Sequence, residues 1–169
     1  MKNIVLTGFM GTGKTEVGRE LARLLDLRLI DVDTEIEKSA KMTVNDIFGA
    51  FGEPRFRDME TEMVKEVSKK NNVIISTGGG VVLKYENMEA LRQNGLIVCL
   101  SASPETIFNR LRYNSDRPLL RVGNPLEKIK IMLDARMPCY ENADITIETD
   151  DKTPLQIAEE IVYLIRSVK

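Results

Sequence analysis

Short apolar runs alternate with longer segments of helical period along the chain. The runs are rich in Ile, Val and Leu, and the segments between them repeat apolar residues at intervals of three and four. This alternation is typical of βαβ units, in which parallel strands are buried between layers of helices. Five strands are predicted, at Asn3–Thr7, Leu27–Asp31, Val73–Thr77, Leu96–Ser101 and Ile145–Glu148. The pattern therefore predicts an α/β fold with a five-stranded parallel sheet and helices on both faces.

Several of the helical segments carry their own start signals. Thr43 followed by Asp46 resembles a capping box, at the head of a helix that continues to about Lys70. Ser103-Pro104 and Thr153-Pro154 each combine an N-cap residue with a proline at the first helical position. The helix after the first strand should face the sheet with one apolar stripe, formed by Val17, Leu21, Leu24 and Leu25.

Length and composition narrow the possible functions. The 169 residues suit one domain, so we expect a single unit over 1–169. With 24 Lys and Arg against 26 Asp and Glu, the net charge of −2 offers no basic field for nucleic acid or an anionic membrane. The absence of histidine excludes His-dependent zinc sites and Ser-His-Asp triads. Two cysteines without a metal or CxxC motif favour a reducing cytosol, and we expect no targeting or membrane-spanning segment.

The run Gly8-Phe9-Met10-Gly11-Thr12-Gly13-Lys14-Thr15 fits the P-loop pattern between the first strand and the first helix. In such a loop, backbone N–H groups and a helix N-terminus point at phosphate oxygens. Lys14 would reach the β- and γ-phosphates, and the Thr15 hydroxyl would ligate Mg²⁺. A P-loop alone leaves switch GTPases, ATPase motors and small-molecule kinases open. Because the chain lacks an Asn-Lys-x-Asp guanine motif and is short for a motor, a small-molecule kinase is favoured.

Two carboxylates follow the second predicted strand. Asp31 and Asp33 are spaced i and i+2, so in an extended segment they would point the same way, towards the end of the sheet that carries the P-loop. Asp31 could hold hydrated Mg²⁺, and Asp33 could orient an acceptor hydroxyl and take its proton. The alternative is a pair of solvated aspartates in a turn.

Three further features each have an ordinary alternative. Arg57 and Glu60 are three apart on a predicted helix and by default form a surface ion pair, unless Arg57 points into a pocket and binds a carboxylate. The run Gly78-Gly79-Gly80 implies a backbone that either approaches a ligand or takes positive φ angles, and the alternative is simply a tight turn. Arg136 alone would be a solvated helix residue. The polar stretch 113–125 suits a mobile lid or a plain surface loop.

Together these motifs resemble the shikimate kinase family, and the resemblance runs nearly the whole length of the chain. It rests on the P-loop, Asp31-Val32-Asp33, Phe56-Arg57 to Glu60, the three glycines, Arg117-Pro118-Leu119-Leu120 and Arg136-Met137-Pro138-Cys139-Tyr140. The resemblance implies a three-layer α/β/α P-loop NTPase fold like that of nucleoside monophosphate kinases, with a lid at about 112–125. It also implies transfer of the γ-phosphoryl group of ATP to the 3-hydroxyl of shikimate, within aromatic amino acid biosynthesis.

The resemblance further implies roles for particular residues. Lys14, Asp33 and Arg117 would be catalytic, and Thr15 and Asp31 would hold Mg²⁺. Shikimate would contact Asp33, Arg57, Gly79 and Arg136. ATP would contact Gly11, Thr12, Gly13, Lys14, Thr15, Glu16, Arg110, Arg117 and Lys152, with Arg110 along the adenine.

The chain departs from the family pattern at two positions. Glu16 puts a carboxylate where the family usually has a second small hydroxyl that contacts the α-phosphate, and Cys139 stands where leucine is more common. A kinase for another polyhydroxy acid, such as gluconate, and a nucleotide-binding module that has lost catalysis remain alternatives. As a family member the protein would be a cytoplasmic monomer that binds a small-molecule substrate, with no nucleic acid or membrane partner.

Overall fold

A parallel sheet organises the computed structural model, which describes residues 2–113 and 123–167. The five strands are β1 (Asn3–Thr7), β2 (Arg28–Asp31), β3 (Val73–Ser76), β4 (Gly95–Ser101) and β5 (Ile145–Glu148). Their order across the sheet is β2-β3-β1-β4-β5, and every pairing is parallel. All five strands were predicted, and their ends differ by at most one residue. The predicted α/β fold is confirmed.

Seven helices are described, together with one short 3₁₀ turn at Val81–Leu83. They are α1 (Lys14–Leu25), α2 (Val32–Ala40), α3 (Val44–Val67), α4 (Tyr85–Asn94), α5 (Pro104–Leu111), α6 (Pro125–Tyr140) and α7 (Pro154–Ser167). The predicted caps are present, since the hydroxyls of Thr43, Ser103 and Thr153 accept hydrogen bonds from the third residue that follows each of them. The caps therefore set where α3, α5 and α7 begin.

The sheet separates two hydrophobic cores because successive residues of a strand face opposite sides. In β1, Val5 faces the core formed with α2 to α6, whereas Ile4 and Leu6 face the core formed with α1 and α7. This is the predicted three-layer arrangement. Among the described helices, none has both the length and the apolar composition that a bilayer crossing needs.

Helix α3 contains a break that the sequence did not predict. Gly52 has φ 79° and ψ 168°, outside the helical region, and Pro54 follows two residues later. The helix therefore consists of two straight segments that meet at Gly52. The first segment starts at the predicted Thr43 cap, and the second carries Arg57 and Glu60 to the carboxyl edge of the sheet.

Candidate active site

The P-loop connects β1, the central strand, to α1 as predicted. Gly13 occupies the N-cap position of α1 with φ 93° and ψ 21°, a left-handed conformation that favours glycine, and it contributes no side-chain cap. The N–H groups in the first turn of α1 are therefore left for an anion, and the positive end of the helix dipole lies behind them.

Lys14 is held against the loop that contains it. Its Nζ donates to the carbonyl oxygens of Gly8 at 2.7 Å and of Phe9 at 2.9 Å, and the residue is 8% exposed. The Thr12 hydroxyl donates to the same Phe9 oxygen at 2.8 Å. These contacts hold the Lys14 ammonium group against the loop and keep it away from solvent.

Thr15 and Asp31 bring a hydroxyl and a carboxylate together beside the P-loop. Thr15 Oγ1 donates to Asp31 Oδ2 at 3.1 Å. A hydroxyl and one carboxylate are the oxygen ligands that suit Mg²⁺, which keeps several waters and uses substrate phosphates for the rest of its coordination. Within residues 2–113 and 123–167, no group of three or more Asp, Glu or Cys side chains could cage a metal. The residues therefore fit a metal shared with phosphates and do not fit a metal bound by protein alone.

The expected extended geometry of Asp31 and Asp33 is wrong. Asp31 ends β2 and caps α2, because its Oδ1 accepts a hydrogen bond from the Thr34 backbone nitrogen at 3.0 Å. Asp33 therefore lies in the first turn of α2. The chain turns at this point because the Asp31 carboxylate satisfies an N–H group at the start of the helix. Both side chains nevertheless lie at the carboxyl edge of the sheet, where the sequence predicts them.

Arg57 pairs with Glu60, but not on the surface. Arg57 Nη1 donates to Glu60 Oε1 at 3.0 Å, and the Arg57 side chain is 16% exposed while that of Glu60 is fully buried. Burial raises the pKa of the Glu60 carboxyl, although the Arg57 guanidinium acts in the opposite direction. Glu53 accepts a second hydrogen bond from Arg57, at 3.2 Å from Nη2. Two carboxylates thus hold the Arg57 fork in one orientation.

The three glycines after β3 have close neighbours. Of the alternatives that the sequence left open for them, positive φ is excluded, because none of the three takes it. A β-carbon on Gly78 would lie 3.0 Å from carboxylate oxygens of Asp33 and Glu60. A β-carbon on Gly80 would overlap the guanidinium of Arg57. The glycines therefore let two acidic side chains and one arginine converge on the backbone of this loop.

Gly79 makes the loop's contact with the P-loop. A β-carbon there would lie 3.1 Å from the backbone nitrogen of Met10. The carbonyl oxygen of Gly79 accepts a hydrogen bond from Tyr140 Oη at 2.6 Å. Arg136, one turn before Tyr140 on α6, places its guanidinium carbon 5.7 Å from the centre of the Phe9 ring. The structure thus brings Gly79 next to Met10 and Arg136 next to Phe9, two adjacent residues of the P-loop.

Arg110 and Lys152 lie on the opposite side of the P-loop from Asp33 and Arg57, next to the loop between β5 and α7. Arg110 Nη1 donates to the Gly11 carbonyl at 3.2 Å and to Thr149 Oγ1 at 3.1 Å, and its Nη2 donates to the Thr149 carbonyl at 3.1 Å. Lys152 Nζ donates to Glu160 at 2.7 Å. Arg110 therefore joins the P-loop to the segment around Lys152, which the family resemblance assigns to the nucleotide.

The remaining predicted residues are Glu16, which the structure describes, and Arg117, which lies outside the described residues. Glu16 is exposed and its carboxylate accepts a 2.6 Å hydrogen bond from Arg19, so an arginine accompanies the unusual acidic residue at the start of α1. Arg117 and most of the predicted lid lie outside the described residues, in 114–122.

Two residues of the site were not singled out from the sequence. Thr149 is fully buried and contacts Arg110, and Tyr140 is buried and contacts Gly79. Tyr140 belongs to the motif that carries Arg136, so its place in that motif was a usable signal. Thr149 had no such signal, since it follows β5 as an ordinary threonine.

Comparisons with known proteins agree on one family. Residues 10–166 match the family model described as Shikimate kinase. The chain is 53% identical over 162 residues to the shikimate kinase of Thermodesulfovibrio yellowstonii, covering 96% of this chain and 94% of that protein. It is 51% identical over 164 residues to that of Caldicellulosiruptor bescii, covering 97% and 95%.

The chain is also similar to solved structures. The shikimate kinase of Acinetobacter baumannii, in complex with shikimate, is 39% identical with a TM-score of 0.96, covering 100% of this chain and 95% of that one. A gluconokinase from Sinorhizobium meliloti is 15% identical with a TM-score of 0.62, covering 99% and 93%, and shares the fold alone.

Proposed function

The chain belongs to the shikimate kinase family, and we infer that it transfers the γ-phosphoryl group of ATP to the 3-hydroxyl of shikimate, giving shikimate 3-phosphate and ADP. The reaction is a step of aromatic amino acid biosynthesis. The observation that carries the assignment to this site is the contact between the P-loop and the loop of Gly79. This contact supports the proposal because the loop beside the P-loop is the one on which Asp33, Glu60 and Arg57 converge.

We propose that the acceptor is bound between α2, α3, the three glycines and α6. Arg57 and Arg136 bind its carboxylate, since a guanidinium fork matches a carboxylate in shape and charge. Asp33 accepts the hydrogen bond of the reacting hydroxyl. As that oxygen forms a bond to the γ-phosphorus and the bond to the β,γ-bridging oxygen breaks, Asp33 takes the hydroxyl proton. The support for this arrangement is the convergence of Asp33 and Arg57 on the glycines.

We propose that the nucleotide lies across the P-loop. The amides of residues 11–16 bind its phosphates, and Lys14 neutralises charge on the β- and γ-phosphates. Arg110, fixed by Thr149, lies along the adenine, and Lys152 borders the base. Arg117 is assigned to the phosphates by the family resemblance.

Thr15 and Asp31 would hold Mg²⁺ in the proposed site. A bound Mg²⁺ supplies charge neutralisation on the phosphates. The support is the 3.1 Å pairing of an oxygen donor and a carboxylate beside the P-loop, which suits a hard cation.

We also propose a cytoplasmic monomer that consists of one kinase domain and has no nucleic acid or membrane partner. Cys99 and Cys139 are free thiols, as expected in a reducing compartment. The net charge of −2 gives no general attraction for polyanions. Light scattering after size exclusion measures the mass directly, and a value near twice 19.1 kDa contradicts the monomer.

The test of the proposed function is release of ADP from ATP in the presence of Mg²⁺, with each acceptor supplied separately. The acceptors are shikimate, gluconate and an analogue of shikimate without the carboxylate, beside a reaction without acceptor. We expect turnover with shikimate, weak turnover with the analogue, and none with gluconate or without acceptor. Removal of Mg²⁺ by a chelator should abolish turnover.

Two results would contradict the proposal in different ways. Faster turnover with gluconate would support a kinase for another polyhydroxy acid. ATP binding without any acceptor-dependent turnover would support a nucleotide-binding module that has lost catalysis.

A further inference from the structure

Tyr140 joins two parts of the acceptor pocket that are far apart in the sequence. It is the last residue of α6, is 5% exposed, and donates from Oη to the carbonyl oxygen of Gly79 at 2.6 Å. The ring is part of the core cluster on that face of the sheet. A tyrosine in this position buries its ring while its hydroxyl keeps polar partners. Besides the Gly79 carbonyl, the hydroxyl interacts with the Arg136 guanidinium.

Each end of this hydrogen bond lies next to a residue assigned to shikimate. Gly79 belongs to the acceptor pocket and packs against the P-loop at Met10. Arg136, assigned to the acceptor carboxylate, is four residues before Tyr140 on the same helix and so lies on the same face. The bond therefore couples the position of the glycine loop to the position of the helix that carries Arg136.

The hydrogen bond also fixes the orientation of a peptide unit. A peptide is planar, so holding the Gly79 carbonyl holds the plane that it shares with the Gly80 nitrogen. Glycine has no β-carbon to restrict its backbone, and three glycines in succession have large conformational freedom when no partner holds them. The Tyr140 hydroxyl is thus a restraint on the most adaptable part of the pocket.

We propose that Tyr140 is a positioning residue for the acceptor, whose hydroxyl holds Gly79 in the place where Gly79 and Arg136 contact the same shikimate molecule. This inference rests on the proposed function. Burial raises the pKa of Tyr140 to about 12, despite the neighbouring Arg136 guanidinium, so the phenol remains a donor through the neutral range.

The test is Tyr140→Phe, which removes the hydroxyl and keeps the ring. Tyr163→Phe is the matched control, because Tyr163 lies on α7 and is 71% exposed. We expect Tyr140→Phe to raise the KM for shikimate about tenfold, as the loss of one hydrogen bond to a buried carbonyl does. The KM for ATP should stay within about twofold of wild type, and Tyr163→Phe should change neither constant.

A purely structural role would give a different result. If Tyr140→Phe lowers the melting temperature but leaves the KM for shikimate unchanged, or raises both KM values together, Tyr140 does not position the acceptor. Hydrogen exchange of the amides in residues 78–83 provides a readout without catalysis. Faster exchange in Tyr140→Phe supports the restraint, and unchanged exchange overturns it.

The two proposals can fail separately. Wild-type protein without shikimate-dependent turnover would contradict the proposed function. The exchange measurement would still decide whether Tyr140 restrains the glycine loop. Normal wild-type turnover with an unchanged KM in Tyr140→Phe would overturn the inference about Tyr140 alone.

Discussion

Lys14 has a buried ammonium group that the P-loop carbonyls hold in place. We expect Lys14→Met to lower kcat by a factor of about 100 or more, because a fixed positive charge near a reacting phosphate stabilises the transition state. Steady-state ADP release measures this, with circular dichroism to verify folding. Lys69→Met, at an exposed position, is the control. A folded Lys14→Met protein with near wild-type turnover would remove the P-loop lysine from the mechanism.

Arg136 gives a prediction that is specific for the acceptor. We expect Arg136→Ala to raise the KM for shikimate between about 10-fold and 100-fold, since a hydrogen bond between two charged groups is lost. The KM for ATP should change little, because the nucleotide is proposed to contact Arg110 and Lys152, whereas Arg136 lies at the Phe9 ring. Arg166→Ala, on the exposed surface of α7, is the control. Unchanged shikimate kinetics in Arg136→Ala would show that this arginine does not bind the carboxylate.

Thr149 gives the corresponding prediction for the nucleotide. Its hydroxyl accepts one of three hydrogen bonds that orient Arg110. Thr149→Val keeps the shape and removes that acceptor, so we expect the KM for ATP to rise about fivefold with the KM for shikimate unchanged. The exposed Thr146→Val, on β5, is the matched control. Equal ATP kinetics in both variants would mean that the Thr149 hydroxyl does not orient Arg110 for nucleotide binding.

At the scale of elements, the break in α3 should give opposite effects on stability when alanine replaces either of two glycines three residues apart, Gly49 and Gly52. Gly52 has φ 79°, where a β-carbon is unfavourable, whereas Gly49 lies inside the first helical segment with open space where a β-carbon would project. We expect Gly52→Ala to lower the free energy of unfolding by about 1 to 3 kcal/mol, because φ 79° with ψ 168° is a backbone conformation that essentially only glycine adopts. Gly49→Ala should raise it by about 0.5 to 1 kcal/mol. Urea denaturation measures both, and equal effects of the two substitutions would contradict a fixed break at Gly52.

Secondary-structure elements are predictable from the sequence where their signals are local. The strands and the three caps were predicted because their signals are local: apolar runs, and a hydroxyl before a helix. The break at Gly52 was missed because the Thr43 cap and the apolar positions after Pro54 are both helix signals, although Gly52 and Pro54 are residues that commonly interrupt a helix. The turn at Asp31 was missed because an aspartate at the end of a strand can continue the strand or cap the next helix, and the carboxylate here does the second.

The site was predictable where its residues belong to a continuous motif. The P-loop, including Thr15, is recognisable from its own eight residues and from the strand and helix signals that flank them. The burial of Glu60 was not predictable, because its surroundings come from Gly78 and Asp33, which are distant in the sequence. A helical period assigns a charged residue to the surface, and only the folded structure shows that the glycine loop and the start of α2 lie against Glu60.

For the molecule as a whole, Tyr140 links stability to alkaline pH. Burial raises the pKa of Tyr140 from 10.0 to about 12 on folding, so the folded protein holds the phenol proton more tightly than the unfolded chain does. The contribution of the protonated Tyr140 to the free energy of unfolding is therefore complete below pH 10 and is lost as the pH rises from 10 to 12. We expect the excess unfolding free energy of wild type over Tyr140→Phe to fall by about 1.4 kcal/mol per pH unit in this range. Urea denaturation at several pH values tests this, and a constant excess would contradict it. Tyr163→Phe serves as the reference for general alkaline effects.

The strand order β2-β3-β1-β4-β5 separates most of the residues proposed for the acceptor from those proposed for the nucleotide. The half with β2 and β3 carries Asp33, Arg57 and the glycines, and the half with β4 and β5 leads into Arg110 and Thr149, while α6 adds Arg136 to the acceptor residues. On this proposal, an altered acceptor can evolve by substitutions around the first half and α6, while Arg110 and Thr149 are inherited unchanged. For an engineer, a mutant library confined to α2, α3, the glycine loop and the Arg136 end of α6 is the economical way to redirect the phosphoryl group to a new alcohol.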